Sequence, residues 1–493
     1  MAKICLSLTG KTLAMDLDTL EKYRGYIDLA ELRVDCLDPD ERLLIRRFPE
    51  MAGIPVILAI RRGRDGGNFI GGEGARITLL AKGLAYAEAD RRRNFAYVDL
   101  EEDLNVPGLE EAARAFDIRI IRSWYNPEGV FEDLADKIRR LRRIGDELVK
   151  ISVTPRSLED VISIYRISEE TRDADKILHI RGEYGLCTGL LSEFFGSQIY
   201  YVSRDTGQID PKELTELYRF NEITNETRVF AAAGYPVNGN GGVRFFNTTF
   251  KIEKTNAVFI PIPADSIKSL MTLAEKTGIA GISVEAPHKN EILQSLAFKS
   301  KEAVSIGACN VITASPQGWM GYNTDAPAFS DTLLEFLGRK DLRGRKLAIV
   351  GVGDIARAVA AEVYRLKGKA LVLNRAAAQA RILAEPYRFN WADPESRGTD
   401  LIRKYSNIIV LTRSLGMESD DDDDPLEFYK FSGKEIVMGL VDKPYNNRCL
   451  RRAEEAGCHI LDGHQMLHRQ ARYKYNYFMN KEFPPSLVSR VGF

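Results

Sequence analysis

The sequence predicts an α/β protein in which a parallel βα barrel is followed by a unit that ends in a nucleotide-type domain. Three observations carry this. Residues 1–222 alternate eight short apolar runs with stretches of helical spacing, which is the rhythm of a TIM (β/α)8 barrel. Leu347–Val350 opens on Gly351-Val352-Gly353-Asp354-Ile355-Ala356 ahead of a helical stretch, which is the strand, tight turn and helix of a Rossmann domain. A length of 493 residues exceeds one ordinary domain, so two or three are expected.

Composition narrows the function classes. Hydrophobic residues at 44 % and charged residues at 28 % fit a globular protein, and a net charge of -1 gives no electrostatic case for nucleic acid or an acidic membrane. No apolar run reaches membrane-spanning length. The N-terminus, MAKICLSLTG, lacks the apolar core of a signal peptide. Six scattered cysteines without CxxC spacing suggest neither a disulfide framework nor a zinc site. A cytoplasmic protein without a metal is expected.

The barrel strands are read at Lys3–Leu8, Leu29–Val34, Val56–Ile60, Phe95–Asp99, Ile118–Arg122, Leu148–Val153, Lys176–His179 and Gln198–Val202, with helices at Ile77–Ala89 and Val130–Ile144. Sites of such barrels lie at the C-terminal ends of strands. There the sequence puts Glu31, Arg33 and Asp35, then Arg61, then Asp99 and Glu101. Lys150 stands inside an apolar strand, between Val149 and Ile151. A lysine there either pairs with a carboxylate or has its pKa lowered, the condition for forming a Schiff base. The plainer alternative is a structural ion pair inside the barrel.

These residues resemble type I 3-dehydroquinate dehydratase. Glu31-Leu32-Arg33-Val34-Asp35 is similar to that family's Glu-x-Arg-x-Asp strand, Arg61 with Asp65-Gly66-Gly67 to its arginine loop, and 145–151 to its Schiff-base strand. Phe195-Gly196-Ser197 and Gly207-Gln208 resemble its last landmarks. The resemblance implies a Schiff base on Lys150 and substrate contacts from Ser7, Glu31, Arg33, Arg61 and Gln208. Three positions depart from the pattern. The family's Ser-x-His-Asn reads Ser123-Trp124-Tyr125-Asn126, Gly189 stands where a carboxylate-binding arginine belongs, and Arg204 is near the place of a binding serine. The barrel's one histidine, His179, is on another strand. Tyr125 is the only residue at the expected place of the proton carrier, and a phenol is a poor base near neutrality. Impaired or altered dehydratase chemistry is expected on this fold.

Residues Ile209–Glu222 read as one helix joining the halves, and Thr227–Ala232 as a new strand. Beyond them come Gly281-Ile282-Ser283-Val284-Glu285-Ala286-Pro287-His288-Lys289, then Gly307-Ala308-Cys309-Asn310, then Gly321-Tyr322-Asn323-Thr324-Asp325. These resemble the substrate half of shikimate dehydrogenase. The resemblance implies that Lys289 and Asp325 handle the hydroxyl proton and that Asn310, Tyr445 and Gln470 bind substrate. A partly desolvated lysine beside a carboxylate is expected to be tuned toward neutral pH. The two serines that hold the carboxylate in that family are replaced by Asn240 and Gly242, and Glu285 replaces a threonine. A different ring substrate or weak catalysis would follow from these changes.

The resemblance continues through Gly351, Gly353 and Asp354 at the phosphate turn to Asn374 and Arg375 at the end of the next strand, where an arginine suits the 2′-phosphate of NADP. Gly463-His464-Gln465-Met466-Leu467-His468-Arg469-Gln470 is similar to the family's Gly-x-x-Met-Leu-x-x-Gln signature and implies that Gly463 lies near the nicotinamide. His464 and His468 read as solvent-facing rather than metal-binding. The acidic run Asp420–Asp424 reads as a solvated loop.

The expected organisation is a two-domain dehydrogenase after the barrel: residues 1–222 the barrel, 223–326 with 471–493 the substrate domain, and 327–470 the NADP domain. Together the resemblances imply a bifunctional enzyme acting on small molecules (3-dehydroquinate, 3-dehydroshikimate and shikimate), with no nucleic-acid or membrane partner and no oligomer predicted. Two alternatives stay open. Only the dehydrogenase half is active, or the chain is a non-catalytic relative that senses a metabolite.

Overall fold

A computed structural model describes the chain except residues 85–89, 144–145, 204–207, 238–239, 395–398, 413–423, 441–447 and 493. It divides into two compact units. One comprises Met1–Ala231, Pro236–Gly239 and Asn247–Gly278; the other comprises Ala232–Tyr235, Asn240–Phe246 and Ile279–Phe493.

All eight expected barrel runs form strands: β1 (Lys3–Leu8), β2 (Leu29–Arg33), β3 (Val56–Ala59), β4 (Tyr97–Glu101), β5 (Arg119–Asn126), β6 (Leu148–Val153), β7 (Lys176–Ile180) and β8 (Ile199–Val202). They pair in parallel in the order β7-β6-β5-β4-β3-β2-β1-β8. The ring closes between β7 and β8 through the bridge Lys176–Ser197, and Gln198 N donates to Lys176 O over 2.9 Å.

Because strand side chains alternate, every second residue faces the barrel interior. The lower inward row is apolar: Cys5, Leu29, Ile57, Ile121, Leu148, Ile177 and Ile199 form one buried cluster. The next inward position along each strand carries Ser7, Glu31, Ser123, Lys150, His179 and Tyr201 on β1, β2, β5, β6, β7 and β8, with His179 level with Ser152 and Tyr201 level with Cys5 across the ladder. An apolar floor therefore lies beneath a polar layer at the strand C-terminal ends. Side-chain caps start the outer helices where the sequence supplies them. Thr12 accepts from Met15 N ahead of helix Leu13–Tyr23, and Ser157 accepts from Asp160 N ahead of helix Leu158–Glu170.

The single helix expected over Ile209–Glu222 is two pieces, Pro211–Glu216 and a 3₁₀ turn Phe220–Glu222. Arg219 breaks it with φ of 53°, a left-handed conformation that apolar spacing does not reveal.

The second sheet contains β9 (Arg228–Gly234), β10 (Ala257–Pro263), β11 (Gly281–Val284), β12 (Phe298–Lys299), β13 (Val311–Ser315) and β14 (Gly318–Tyr322), in the order β10-β9-β11-β13-β14-β12. β13 and β14 form an antiparallel hairpin, and Gly318 enters β14 with φ of 119°.

The third sheet is wholly parallel. Its strands are β15 (Lys346–Val350), β16 (Lys369–Leu373), β17 (Asn390–Ala392), β18 (Ile408–Leu411), β19 (Ile436–Gly439) and β20 (His459–Asp462), ordered β17-β16-β15-β18-β19-β20. This is the doubly wound dinucleotide order with its switch point between β15 and β18. Leu347 and Ile349 pack into one core and Ala348 and Val350 into another, so the sheet is covered on both faces. Among the described residues no helix is long and apolar enough to cross a membrane.

Candidate active sites

In the barrel, Lys150 is buried and meets carboxylates from two other strands. Its Nζ donates to Glu31 Oε1 at 3.0 Å and to Asp99 Oδ2 at 3.4 Å, and it lies 3.8 Å from the centre of the Tyr201 ring. Asp99 also accepts from the Arg61 guanidinium and from the Ser123 hydroxyl. Ser7 Oγ donates to Glu31 Oε2 at 3.4 Å. Two buried carboxylates thus face two buried cations, which is the arrangement that makes such burial tolerable. Burial works against ionised Glu31, but Lys150, Arg61 and Arg33 outweigh it and hold its carboxyl below the usual range. The geometry meets the ion-pair expectation for Lys150.

The other predicted barrel residues divide. Arg61 joins the cluster. Arg33 turns instead to Asp35, with bonds of 3.0 and 2.8 Å, and Asp35 also accepts from the backbone N–H of Arg61 and Asn68. That knot fixes the loop after β3 and reduces what Arg33 can offer a ligand. Gln208 Nε2 lies 3.2 Å from His179 Nε2, and its buried Oε1 has no partner among the described residues. Gly207 and Arg204 lie outside the described residues.

The departures have structural counterparts. The Tyr125 hydroxyl accepts from Arg181 at 3.1 Å. A Cβ at Gly189 would fall inside the Tyr200 ring, so an arginine has no room there unless that ring moves.

In the second unit the expected pair forms. Lys289 Nζ donates to Asp325 Oδ2 at 3.2 Å. Asp325 Oδ1 accepts from Asn310 Nδ2 at 2.7 Å and Gln470 Nε2 at 2.9 Å. Asn310 Oδ1 in turn accepts from Thr324 N at 2.8 Å, which fixes its orientation. Three residues, Lys289, Asn310 and Gln470, converge on one buried carboxylate. The expectation that Lys289 is tuned toward neutral pH is corrected. Burial alone would lower its pKa, but Asp325, Asp354 and Glu285 raise it above the ordinary lysine value. Its ammonium is held by Asp325.

Glu285 is half-buried at the end of β11, where its N–H bonds Ala233 O. The side chain of Asn240 and the placement of residues 238–239 lie outside what is described; the helix Asn240–Ile252 starts there and includes Gly242. Lys474, on the final helix Gly463–Met479, reaches Ser283 Oγ at 2.8 Å. Tyr477 of that helix stacks on Tyr322, with ring centres 3.9 Å apart.

The nucleotide turn fits a pyrophosphate. Gly351 has φ of 112°, where a side chain would be strained, and a Cβ at Gly353 would meet nothing within 4 Å. The helix Asp354–Arg365 starts there and presents its first N–H groups. Asp354 Oδ1 accepts from Asn290 Nδ2 at 2.8 Å, and this bond gives the acid a partner on the lysine-bearing loop. Asn374 is partly buried and Arg375 exposed at the end of β16. Gly463 must be glycine because a Cβ would run into Gly439 O. Tyr445 lies outside the described residues. His464 and His468 are half-buried rather than solvent-facing, and His468 packs edge-on to Phe245. Among the described residues no cluster of His, Cys, Asp or Glu could hold a metal.

Sequence reading noted Asp99 without assigning it a role, and it passed over Tyr201, Ser152 and Asn290. For Asp99 and Tyr201 the usable signal was strand alternation, since each is two residues beyond an inward floor position.

Comparison with known proteins shows that the two parts of the chain are similar to two families. Residues 4–225 match the family model of type I 3-dehydroquinase, and residues 233–312 match the shikimate dehydrogenase substrate-binding domain. The chain is 25 % identical to a bifunctional 3-dehydroquinate dehydratase/shikimate dehydrogenase, chloroplastic, of Arabidopsis thaliana, over 99 % of this chain and 84 % of that protein. It is 28 % identical to a shikimate dehydrogenase (NADP(+)) of Caldanaerobacter subterraneus, over 54 % of this chain and 97 % of that protein. Among solved structures, the dehydroquinate dehydratase and shikimate dehydrogenase portion of an S. pombe protein covers 99 % of this chain and 98 % of its own, with 19 % identity and a TM-score of 0.45.

Proposed function

We propose that this chain, in which a type I 3-dehydroquinase sequence is followed by a shikimate dehydrogenase sequence, carries out two consecutive steps of the shikimate pathway. It dehydrates 3-dehydroquinate to 3-dehydroshikimate and reduces that product to shikimate with NADPH. The observation that carries the reading is the Asp325 carboxylate, which gathers Lys289, Asn310 and Gln470 in one chain with a barrel lysine at the strand ends. We assign the barrel to residues 1–222, the substrate domain to 223–326 and 471–493, and the NADP domain to 327–470.

In the barrel, Lys150 attacks the substrate ketone and forms an iminium, which acidifies the neighbouring C–H so that the hydroxyl one carbon further on can leave as water. Glu31 and Asp99 take up the charge of Lys150 before it reacts, and Arg61, Ser7 and Gln208 bind the ring's oxygen groups. Arg33 acts mainly through Asp35.

In the dehydrogenase, Lys289 donates its proton to the carbonyl oxygen as it becomes a hydroxyl. Its raised pKa keeps it in the protonated form from which reduction starts. Asp325 aims the ammonium, and Asn310, Gln470 and Tyr445 hold the ring hydroxyls. Gly351, Gly353 and the start of the Asp354 helix would hold the pyrophosphate of NADP, Asn374 and Arg375 its ribose and 2′-phosphate, and Gly463 the nicotinamide edge. Bound NADPH supplies the hydride. We infer a reducing compartment such as the cytoplasm from six cysteines that form no disulfide, five of them buried.

The test is direct: full-length protein, 3-dehydroquinate and NADPH are incubated together, and shikimate is measured. Shikimate formation supports both steps. The second reading, an active dehydrogenase beside a silent barrel, draws on the filled Gly189 position. It predicts shikimate only when 3-dehydroshikimate is supplied.

A further inference from the structure

We propose, resting on the reading that the barrel dehydrates 3-dehydroquinate, that His179 on β7 is the proton carrier of that reaction, in place of the residue at position 125 on β5.

Strand register sets the argument. Lys150 pairs with Ile177, and Ser152 with His179, while Tyr125 pairs with Ser152. Tyr125, Ser152 and His179 thus occupy one inward level, two residues beyond Lys150 and about 6.6 Å further toward the strand ends. A six-membered ring joined to Lys150 through its ketone carbon would extend into this level. Tyr201 ties the two groups together. Its ring centre is 3.8 Å from Lys150 Nζ and 4.9 Å from the His179 ring centre.

The imidazole is also held by hydrogen bonds at both nitrogens. Ser152 Oγ lies 3.2 Å from Nδ1 and Gln208 Nε2 lies 3.2 Å from Nε2. With an amide N–H directed at Nε2, that nitrogen keeps its lone pair and Nδ1–H points to Ser152. This is the tautomer of a general base. Burial, then the charges of Lys150, Arg181, Arg61 and Arg33, hold the imidazole well below its usual pKa, so it rests neutral. The buried Oε1 of Gln208, without a partner among the described residues, is a polar atom that a substrate hydroxyl would satisfy. Once Gln208 turns to the substrate, Nε2 is released. Tyr125 is differently placed, because its oxygen already accepts from Arg181.

The steps balance. Lys150 passes one proton to Glu31, its Nζ adds to the ketone, and the carbonyl oxygen leaves as water with that proton and one from the nitrogen as the iminium forms. His179 Nε2 takes the proton from the adjacent carbon, and the C–H electron pair moves into an enamine. The enamine expels the hydroxyl of the next carbon, which leaves as water with the proton returned from Nε2–H. Hydrolysis of the iminium frees the enone and restores Lys150.

The experiment uses the full chain and 3-dehydroquinate, with product absorbance, deuterium uptake at the reacting carbon, and borohydride trapping read by intact mass. His179→Gln should keep the trapped adduct but lose about 100-fold or more in kcat and in deuterium exchange, whereas Tyr125→Phe should lose less than about 10-fold. The assignment is overturned if His179→Gln stays within about 3-fold of the unaltered protein, or if Tyr125→Phe is the more damaging. Loss of the adduct in both His179→Gln and His179→Asn would show a structural role and overturn it as well. Absence of turnover by the unaltered protein would instead overturn the dehydratase reading, and this assignment with it.

Discussion

Lys289 and Asp325 meet at 3.2 Å, and the second oxygen of Asp325 is held by Asn310 and Gln470. The carboxylate accepts from three side chains, so its charge organises donors that would otherwise repel one another. Asp325→Asn puts an amide among these donors. We expect shikimate oxidation to fall about 100-fold or more in kcat, with NADP affinity retained. Steady-state kinetics with a fluorescence titration of the nucleotide would measure both.

Glu285 adds a negative charge near Lys289, and an ionised Glu285 would repel a carboxylate-bearing substrate. Replacing it with threonine removes that repulsion. Glu285→Thr is expected to lower KM for shikimate about 10-fold, a change of about 1.4 kcal/mol. An unchanged KM would remove Glu285 as the cause of any weak binding.

Gly189 is closed by the Tyr200 ring. Adding even a methyl group must displace the buried Tyr200 ring, so Gly189→Ala should cost about 1–3 kcal/mol of stability. Denaturant unfolding of the full chain, followed by a barrel-specific probe, would measure the loss. The family's arginine cannot be restored by a single substitution.

Asp16 gives a pH prediction. It is buried, Oδ1 accepts from Gly10 N at 2.8 Å, and Oδ2 has no partner among the described residues. Burial raises its pKa from 3.8 to about 6. The folded state therefore binds more protons than the unfolded chain between these values, and stability is lost as pH rises through them. Asp16→Asn should raise stability at pH 7.5 by about 2 kcal/mol and have little effect near pH 4. Melting temperatures at the two pH values would show the difference, and an equal shift at both would contradict it.

Much of this was legible because local patterns and chemistry coincided. The apolar runs with charged ends marked all eight barrel strands, and Lys150 was conspicuous as a cation in an apolar strand. Lys289, Asn310, Asp325 and Gln470 came from ordered motifs, and the structure brings them together. What the sequence could not reveal depends on register and backbone. Asp99 and Tyr201 acquire roles only when strands far apart in sequence face one barrel interior. The close pairing of Arg33 with Asp35 depends on where the loop after β3 folds. The break at Arg219 is a left-handed residue with no compositional mark, and the filled space at Gly189 depends on Tyr200 from another strand.

The most direct test of the account is borohydride reduction of the full chain with 3-dehydroquinate, followed by peptide mapping. The account predicts one reduced adduct, on Lys150, absent from Lys150→Ala. No adduct, or one on another lysine, would contradict it.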